Sequence, residues 1–364
     1  MIFKREIFTY LLLILTISFV YGNDSVVVRK SLFLIPHPAY QQETSWSAGV
    51  AGGYYFKSND LSRISSISGS ADYTLLNQFL FNITPKIFFP GKKWYLYSNL
   101  NFRNYPDFYY GIGNKPTEIK QSFTSNVFSL NLQPQYEIKQ HFLIGPYLTA
   151  RYESIKPGSG FEQIREKIYN DFGSEGWEKP FYKVSLGALA TYDSRDNQFY
   201  PLKGIFAKST FSVSKAGWGS SYSIMDFTLD VRQYIAFYGE NVFAWQFFFE
   251  SATGNSAIPF QLLPTLGGID YMRGFRKGMY RDNFMALLQT EYRIPLYKRL
   301  KAAVFFSAGD VFNDLNLKTD KFKAAYGCGL RYRLNDARVH LRVDVAKNNY
   351  GEKLQFYITA TEAF

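Results

Sequence analysis

Apolar and polar residues alternate through the C-terminal part of the chain with the two-residue period of a β-strand. In the segment 353–364, the polar parity holds Lys353, Gln355, Tyr357, Thr359 and Thr361. The apolar parity holds Leu354, Phe356, Ile358, Ala360 and Phe364. The segments 337–347 and 322–334 repeat the pattern, with arginines on one face and Val, Leu or Tyr on the other. Each segment therefore predicts a strand with one apolar and one polar face.

The same reading along the whole chain predicts 16 strands, an even number as in single-chain bacterial barrels. Their ranges are 28–36, 45–56, 62–74, 78–89, 92–104, 122–138, 142–155, 181–193, 203–215, 221–237, 241–252, 283–294, 300–308, 322–334, 337–347 and 353–364.

The connections between these strands alternate in length, which is typical of an outer-membrane barrel. Pro90-Gly91 and Asn335-Asp336 are tight turns, whereas 105–121, 156–180 and 253–282 are long. In such barrels the short turns face the periplasm and the long loops face outward. Parity alone does not distinguish this fold from a soluble sandwich, whose charged faces would point outward. The strand number and the two features described next favour an all-β transmembrane antiparallel barrel of about 16 strands, with its charges inside.

The N-terminus has the features of a secretory signal peptide. Lys4 and Arg5 precede an apolar run from Ile7 to Val20, and Val20-Tyr21-Gly22 offers a cleavage site. The run of about 14 residues is shorter than the roughly 17 to 25 that a spanning helix needs. We therefore expect a signal peptide at 1–22, and a single barrel domain over 23–364 that is integral to the cell outer membrane.

Composition supports a barrel in lipid and argues against most enzyme classes. Aromatic residues make up 19% of the chain, including 29 Tyr and 35 Phe, and a lipid-facing outer surface gives them an apolar environment. A single cysteine, Cys328, excludes an intramolecular disulfide framework and a thiolate zinc cluster. There are 3 His, and no phosphate loop or Gly-x-Ser-x-Gly motif is present. We predict no catalytic residue, no metal and no cofactor.

The formal net charge of +11 does not indicate a nucleic-acid-binding protein, because strand parity places much of it inside the barrel. The lumenal wall would carry Arg293, Arg331, Arg333, Arg338 and Arg342 against Glu291 and Asp344. These groups either form ion pairs with loops or make an electropositive conduit for anionic solutes or lipid headgroups.

An ordered set of motifs resembles the BamA/TamA family of outer-membrane assembly barrels, also called the bacterial surface antigen family. The longest loop reads Leu266-Gly267-Gly268-Ile269-Asp270-Tyr271-Met272-Arg273-Gly274-Phe275, and Gln289-Thr290-Glu291-Tyr292-Arg293 follows in the next strand. A predicted periplasmic turn contains Asp193, Arg195, Asp196, Pro201 and Gly204. Phe305 to Phe312 and the terminal Phe364, which matches the family's C-terminal signal, complete the set.

The resemblance implies that the loop folds back into the lumen, where Arg273, Gly274 and Phe275 act as a latch. Parity independently turns Glu291 inward, so Glu291 is the expected acceptor for Arg273. Gly267 and Gly268 would let the loop backbone reverse inside the lumen. The family usually has a second acid where this chain has Ser307, so a second acceptor is missing from that position. For Asp193, Arg195 and Asp196, a capped polar turn is as good an explanation as a functional role.

The function implied by the resemblance is insertion or translocation of unfolded outer-membrane or secreted proteins. The first and last strands would pair weakly, so that their seam opens and offers an edge to an incoming strand. About 20 residues separate Gly22 from the second strand, so we expect a barrel-only member that depends on a separate periplasmic partner for recruitment.

Two other functions stay open. One is a pore or structural barrel without assembly activity. The other is an outer-membrane hydrolase, although His37, His141 and His340 lie in three separate strands or turns with no Ser/His/Asp cluster.

Overall fold

The computed structural model describes residues 31–56, 64–91, 93–115, 121–158, 180–314, 322–334, 338–351, 353–359 and 362–364. The predicted signal segment 1–22 and the predicted turn at 335–336 lie outside these ranges.

The described residues form eighteen strands, of which 16 make the barrel and two short ones lie within a loop. The first eight are β1 Ser31–Gln41, β2 Ser45–Phe56, β3 Ser65–Thr74, β4 Phe79–Phe88, β5 Trp94–Tyr109, β6 Gln121–Lys139, β7 Phe142–Pro157 and β8 Phe181–Asp193. The others are β9 Gly204–Ser214, β10 Ile224–Ala236, β11 Val242–Gly254, β12 Thr265–Leu266, β13 Tyr280–Arg281, β14 Phe284–Tyr297, β15 Leu300–Phe312, β16 Lys323–Arg333, β17 His340–Asn348 and β18 Gln355–Thr359.

The barrel is closed and fully antiparallel, which confirms the predicted fold class. Successive barrel strands are neighbours, and β18 meets β1 to close the circle. The two-residue strands β12 and β13 pair with each other inside the connection 255–283. Within the described ranges, no helix is both long and apolar enough to cross a membrane.

Side chains alternate between the lumen and the outside of the barrel as the sequence pattern predicted. On β16 the outward-facing Leu330 is 49% exposed, whereas the neighbouring Arg331 is fully buried. On β17 the outward-facing Val343 is 38% exposed and Arg342 is 1% exposed. The apolar side chains therefore form the surface available to lipid, and the charged ones lie inside, where polar groups find partners.

Two strand boundaries at the seam were wrong. The first strand covers Ser31–Gln41 rather than 28–36, so Pro36 and Pro38 lie within it. An edge position tolerates proline because the missing N–H has no ladder partner to lose. The last strand covers only Gln355–Thr359 rather than 353–364, and Phe364 lies outside it.

The strand directions place the three longest connections, 110–120, 158–180 and 255–283, at the same end of the barrel. The connections 110–120, 158–180, 255–283 and 313–322 leave from the end opposite the first residue of β1. The connections 140–141, 194–203 and 298–299 lie at the same end as that residue. By the usual orientation of such barrels, the first end is extracellular and the second is periplasmic.

Candidate functional site: a lumenal loop and the seam

The connection 255–283, called here the lumenal loop, packs into the barrel. Leu266, Met272 and Phe275 have no exposed surface. They form one apolar cluster with wall residues of four strands, namely Phe248, Met285, Leu287, Val311 and Ala325. Burying several large apolar side chains together anchors the loop, at roughly 1.5 to 3 kcal/mol for each fully buried side chain.

Arg273 lies at the inner end of this loop and is completely buried. Its Nη2 donates to Glu291 Oε2 on β14 at 2.9 Å, and its Nη1 donates to Asp344 Oδ2 on β17 at 2.5 Å. The guanidinium also stacks 3.5 Å from the ring centroid of Phe305 on β15. One planar group thus bridges three strands of the wall, which suits the forked donor geometry of arginine.

A second carboxylate accepts from Arg273, and it lies on a strand that the family resemblance did not indicate. Ser307 is buried in the lumen and donates to Gln289 Oε1 at 3.3 Å, so position 307 has no acid. Asp344 on β17 supplies the second carboxylate to Arg273. The sequence analysis had not assigned Asp344 as an acceptor, although the parity of 337–347 turned it inward.

The backbone around Arg273 is also tied to the strands beside the seam. The Gly274 N–H donates to the hydroxyl of Tyr357 on β18 at 3.0 Å. The Asn348 amide on β17 donates to the Gly274 carbonyl at 2.7 Å. Neither partner had been singled out from the sequence, where Tyr357 and Asn348 are ordinary strand and turn residues.

Two glycines of the loop could not be replaced without strain. Gly267 has φ +104°, and a Cβ there would lie 2.5 Å from the Arg276 carbonyl oxygen. Gly274 has φ +103°, and a Cβ would lie 3.1 Å from the Ala325 Cβ. The Gly268 N–H donates to the Phe275 carbonyl at 2.8 Å, closing the reversal. The left-handed backbone lets the loop turn back on itself within the lumen.

The periplasmic connection 194–203 is a capped turn. Asp193 receives two hydrogen bonds from the Arg195 guanidinium, both 2.8 Å long. Asp196 accepts from the Leu202 N–H at 2.8 Å and from Arg338 Nη1 at 2.6 Å. Burial alone would raise the pKa of Asp196, but the Arg338 guanidinium and the backbone N–H donors outweigh it and lower that pKa. The Pro201 carbonyl faces Arg293 at 3.5 Å, and Gly204 begins β9.

Phe364 lies in the lumen at the periplasmic end rather than facing lipid. Together with Ala363 it packs against Tyr234, Val242 and Ala244 on β10 and β11. Its carbonyl accepts from Arg293 Nη2 at 3.3 Å. Parity would have placed Phe364 on the lipid face with Phe356 and Ile358, but Phe364 is not part of β18, whose last residue is Thr359.

The seam between β1 and β18 has the fewest paired positions of any junction in the described barrel. Only Tyr40 lies opposite a β18 residue, Ile358. The next least-paired junction, between β17 and β18, has five paired positions. On its other side, β1 pairs with β2 over its whole length. Residues 31–39 of β1 therefore have no paired position on the seam side among the described residues.

The lumenal loop covers only part of the inner wall. Inward side chains of β14–β18, such as Glu291, Arg331 and Tyr357, are 0–1% exposed. By contrast, Asn82 and Thr84 on β4 and Asn99 on β5 are partly exposed. Asn99 donates to the Thr84 hydroxyl at 2.9 Å, and Asn82 donates to the Ser70 hydroxyl at 2.8 Å. The lumen thus has a filled side, where the loop packs, and a partly open side that these polar side chains line.

Comparison with known proteins agrees with this architecture. The model of the Omp85 superfamily domain matches residues 62–364. The barrel resembles BamA from Haemophilus ducreyi lacking POTRA domains 1-3, with a TM-score of 0.63 at 16% identity, covering 90% of this chain and 69% of that one. No curated protein sequence matches the chain.

Two CdiB structures are also similar. For CdiB from Escherichia coli the TM-score is 0.57 at 10% identity, covering 93% of this chain and 63% of that one. For CdiB from Acinetobacter baumannii it is 0.55 at 12% identity, covering 90% and 59%. The chain therefore spans about three fifths of each CdiB chain, and at these identities the likeness establishes the fold.

Proposed function

Because the chain belongs to the Omp85 superfamily, we propose that it inserts or translocates other polypeptides at the outer membrane. The observation that carries this proposal is the seam, where a single position of β1 pairs with β18 among the described residues. Each missing backbone hydrogen bond is worth on the order of 1 kcal/mol in water and more in lipid. A junction with so few bonds is the place where the barrel opens at the lowest cost.

The exposed edge of β1 is the proposed docking site for an incoming strand. A strand edge binds an extended segment by adding it to the sheet, with main-chain hydrogen bonds giving the affinity. Pro36 and Pro38 remove two donors from this edge. They weaken permanent closure while leaving the other positions of 31–39 able to pair.

We propose that the lumenal loop acts as a latch that sets the position of the seam strands. Arg273 joins β14 to β17 through Glu291 and Asp344, and Gly274 is bonded to Tyr357 on β18. The loop therefore holds β17 and β18 in place from inside. Release of these contacts is expected to free β18 and widen the seam.

Location and partners follow from the same proposal. Residues 1–22 would direct export and be removed, and the barrel of 23–364 would be integral to the outer membrane. Its ligands would be outer-membrane lipids and unfolded outer-membrane or secreted proteins, with a separate periplasmic protein assisting recruitment. The mechanism is conformational and requires no cofactor.

The partly open side of the lumen favours a second candidate, a pore or structural barrel without assembly activity. Ser70, Asn82, Thr84 and Asn99 contribute a polar lining on this side that suits passage of small solutes. Single-channel recording distinguishes the two. A large, steady conductance would favour the pore, whereas small, intermittent openings are expected from a barrel plugged by its loop.

The direct test of the proposed function is depletion of the protein followed by quantitative comparison of the outer-membrane proteome. Loss of specific outer-membrane or secreted proteins, restored by the wild-type chain, is the expected result. An unchanged outer-membrane proteome would favour the pore or structural alternative.

A further inference from the structure

The buried ion-pair network on the lumenal wall has hydrogen-bond donors that its acceptors do not use. Among the described residues, its side-chain carboxylates are Glu291, Asp344 and Glu362. Its guanidinium groups are Arg273, Arg293, Arg331 and Arg342. The last residue, Phe364, adds an oxygen that accepts from Arg293 Nη2. A buried guanidinium with an excess of donors over acceptors is costly, so this excess calls for an anionic ligand.

The excess is located at Arg342, which is 1% exposed. None of its three guanidinium nitrogens has a hydrogen-bond partner in the described part of the chain. Its Nε lies 3.3 Å from Asp344 Oδ2, an ionic contact without hydrogen-bond geometry. Asp344 is already engaged by Arg273 and Arg331.

Glu362, the nearby acid, is also incompletely paired. Its side chain is 5% exposed, and its Oε2 lies 3.5 Å from the Nε of Arg331. Neither carboxylate oxygen of Glu362 accepts a hydrogen bond from the described residues, and the Nε of Arg331 donates none to them. Buried charged donors and acceptors thus lie near one another with their hydrogen-bonding capacity unused.

These groups lie beside the seam. Arg331 and Arg342 are opposite each other across β16 and β17, and Arg342 is opposite Thr359, the last residue of β18. Continuing the alternation of β18 would put position 362 on the lipid face with Phe356 and Ile358. A carboxylate is unfavourable there. Glu362 instead lies inside the barrel beside Arg331.

We propose that Arg331 and Arg342 form a binding site for a carboxylate carried on an extended polypeptide segment. Glu362 occupies this site loosely and is displaced when an acidic segment enters at the seam. The planar fork of each guanidinium matches a carboxylate in two-point contact. The inference rests on the proposed function, because it identifies a side-chain feature by which an incoming strand is recognised.

Fluorescence anisotropy on the purified barrel in non-ionic detergent tests this site. The probes are two labelled peptides with the same alternating Val/Thr sequence, one with a central Glu and the other with Gln at that position. The proteins are the wild type, Glu362→Gln, the double variant Glu362→Gln/Arg342→Gln, and the control Glu362→Gln/Arg338→Gln. Arg338 lies at the same end of the barrel but pairs with Asp196 outside the network. Heat-dependent gel mobility verifies that each variant is folded.

In the Glu362→Gln protein, the Glu peptide is expected to bind roughly tenfold or more tightly than the Gln peptide, the effect of one charge-assisted contact. The wild type should show a smaller preference, because Glu362 competes. The preference should disappear with Arg342→Gln and persist with Arg338→Gln.

Equal binding of the two peptides to Glu362→Gln, or a preference that survives Arg342→Gln, would overturn the site. If Arg342→Gln does not fold, Glu362→Gln/Arg342→Lys replaces it. That variant keeps the charge without the planar fork, so the preference should weaken, and an unchanged preference would overturn the site. The binding assay does not require assembly activity. Peptide binding that does not depend on the Glu side chain would therefore refute the carboxylate site and leave the proposed function standing. An unchanged outer-membrane proteome after depletion would refute the proposed function and leave the site standing.

Discussion

Replacing Arg273 by methionine should release the lumenal loop without unfolding the barrel. The change removes two charge-assisted hydrogen bonds, to Glu291 and to Asp344. Removing one partner of a buried ion pair costs about 3 to 5 kcal/mol. Here both acids keep other arginines, since Glu291 retains Arg293 and Arg331 and Asp344 retains Arg331. Both acids therefore stay paired, so we expect the lower value, about 3 kcal/mol.

The assay is the rate of cleavage after Lys277 by a lysine-specific protease, because that exposed residue lies in the loop just beyond Arg273. If local opening limits cleavage, about 3 kcal/mol corresponds to a roughly hundredfold faster rate. Arg273→Lys keeps the charge but not the fork, and it should give an intermediate rate. Arg299→Met, at an exposed periplasmic turn, is the control and should leave the rate unchanged. Equal rates for wild type and Arg273→Met would show that the apolar cluster alone holds the loop.

Three further outcomes are expected. Arg342→Met should leave the free energy of unfolding unchanged or raise it, because it removes a buried guanidinium that makes no hydrogen bond to the described residues; a loss above about 2 kcal/mol in denaturant titration would show that Arg342 is well paired. Gly267→Ala should increase the rate of loop cleavage, because Gly267 has φ +104° and an added Cβ would lie 2.5 Å from the Arg276 carbonyl oxygen, which strains the packed loop. Gly217→Ala is the control and should leave the rate unchanged, because nothing lies within 4 Å of an added Cβ there. The pKa of Asp196 is lowered in the folded protein. Its carboxylate therefore stabilises the folded state fully at pH values above its ordinary pKa of 3.8, and this stabilisation is lost as the pH falls through the lowered pKa. The unfolding midpoint of Asp196→Asn should therefore lie below that of the wild type at about pH 6 and equal it at strongly acid pH; a difference independent of pH would exclude this titration.

The sequence was sufficient for the barrel because strand parity is a local property. Alternation on 322–334 and 337–347 placed Leu330 and Val343 outside and Arg331 and Arg342 inside, and the structure has them so. Lipid on one side and polar partners on the other impose the same two-residue rule on every strand. The number of strands and most boundaries follow from that rule together with the turn residues.

The seam and the second acid were not predictable in the same way. The prolines inside β1 could not be interpreted from the sequence, because whether a missing N–H costs a ladder hydrogen bond depends on how the whole barrel closes. The end of β18 at Thr359 was missed because the apolar parity of the sequence continues to Phe364. Asp344 meets Arg273 because β17 and the lumenal loop come together in space, 71 residues apart in the chain.

A disulfide across the seam tests the central claim most directly. Cysteines replace Tyr40 and Ile358, the one paired position of the seam, in a chain whose native Cys328 is changed to alanine. The control pair replaces Val345 and Phe356, which are opposite each other in the β17–β18 junction. If strands enter at the seam, oxidation of the first pair should abolish assembly of dependent outer-membrane proteins, and reduction should restore it. The control pair should have no effect. Normal assembly with the seam fully cross-linked would contradict the account.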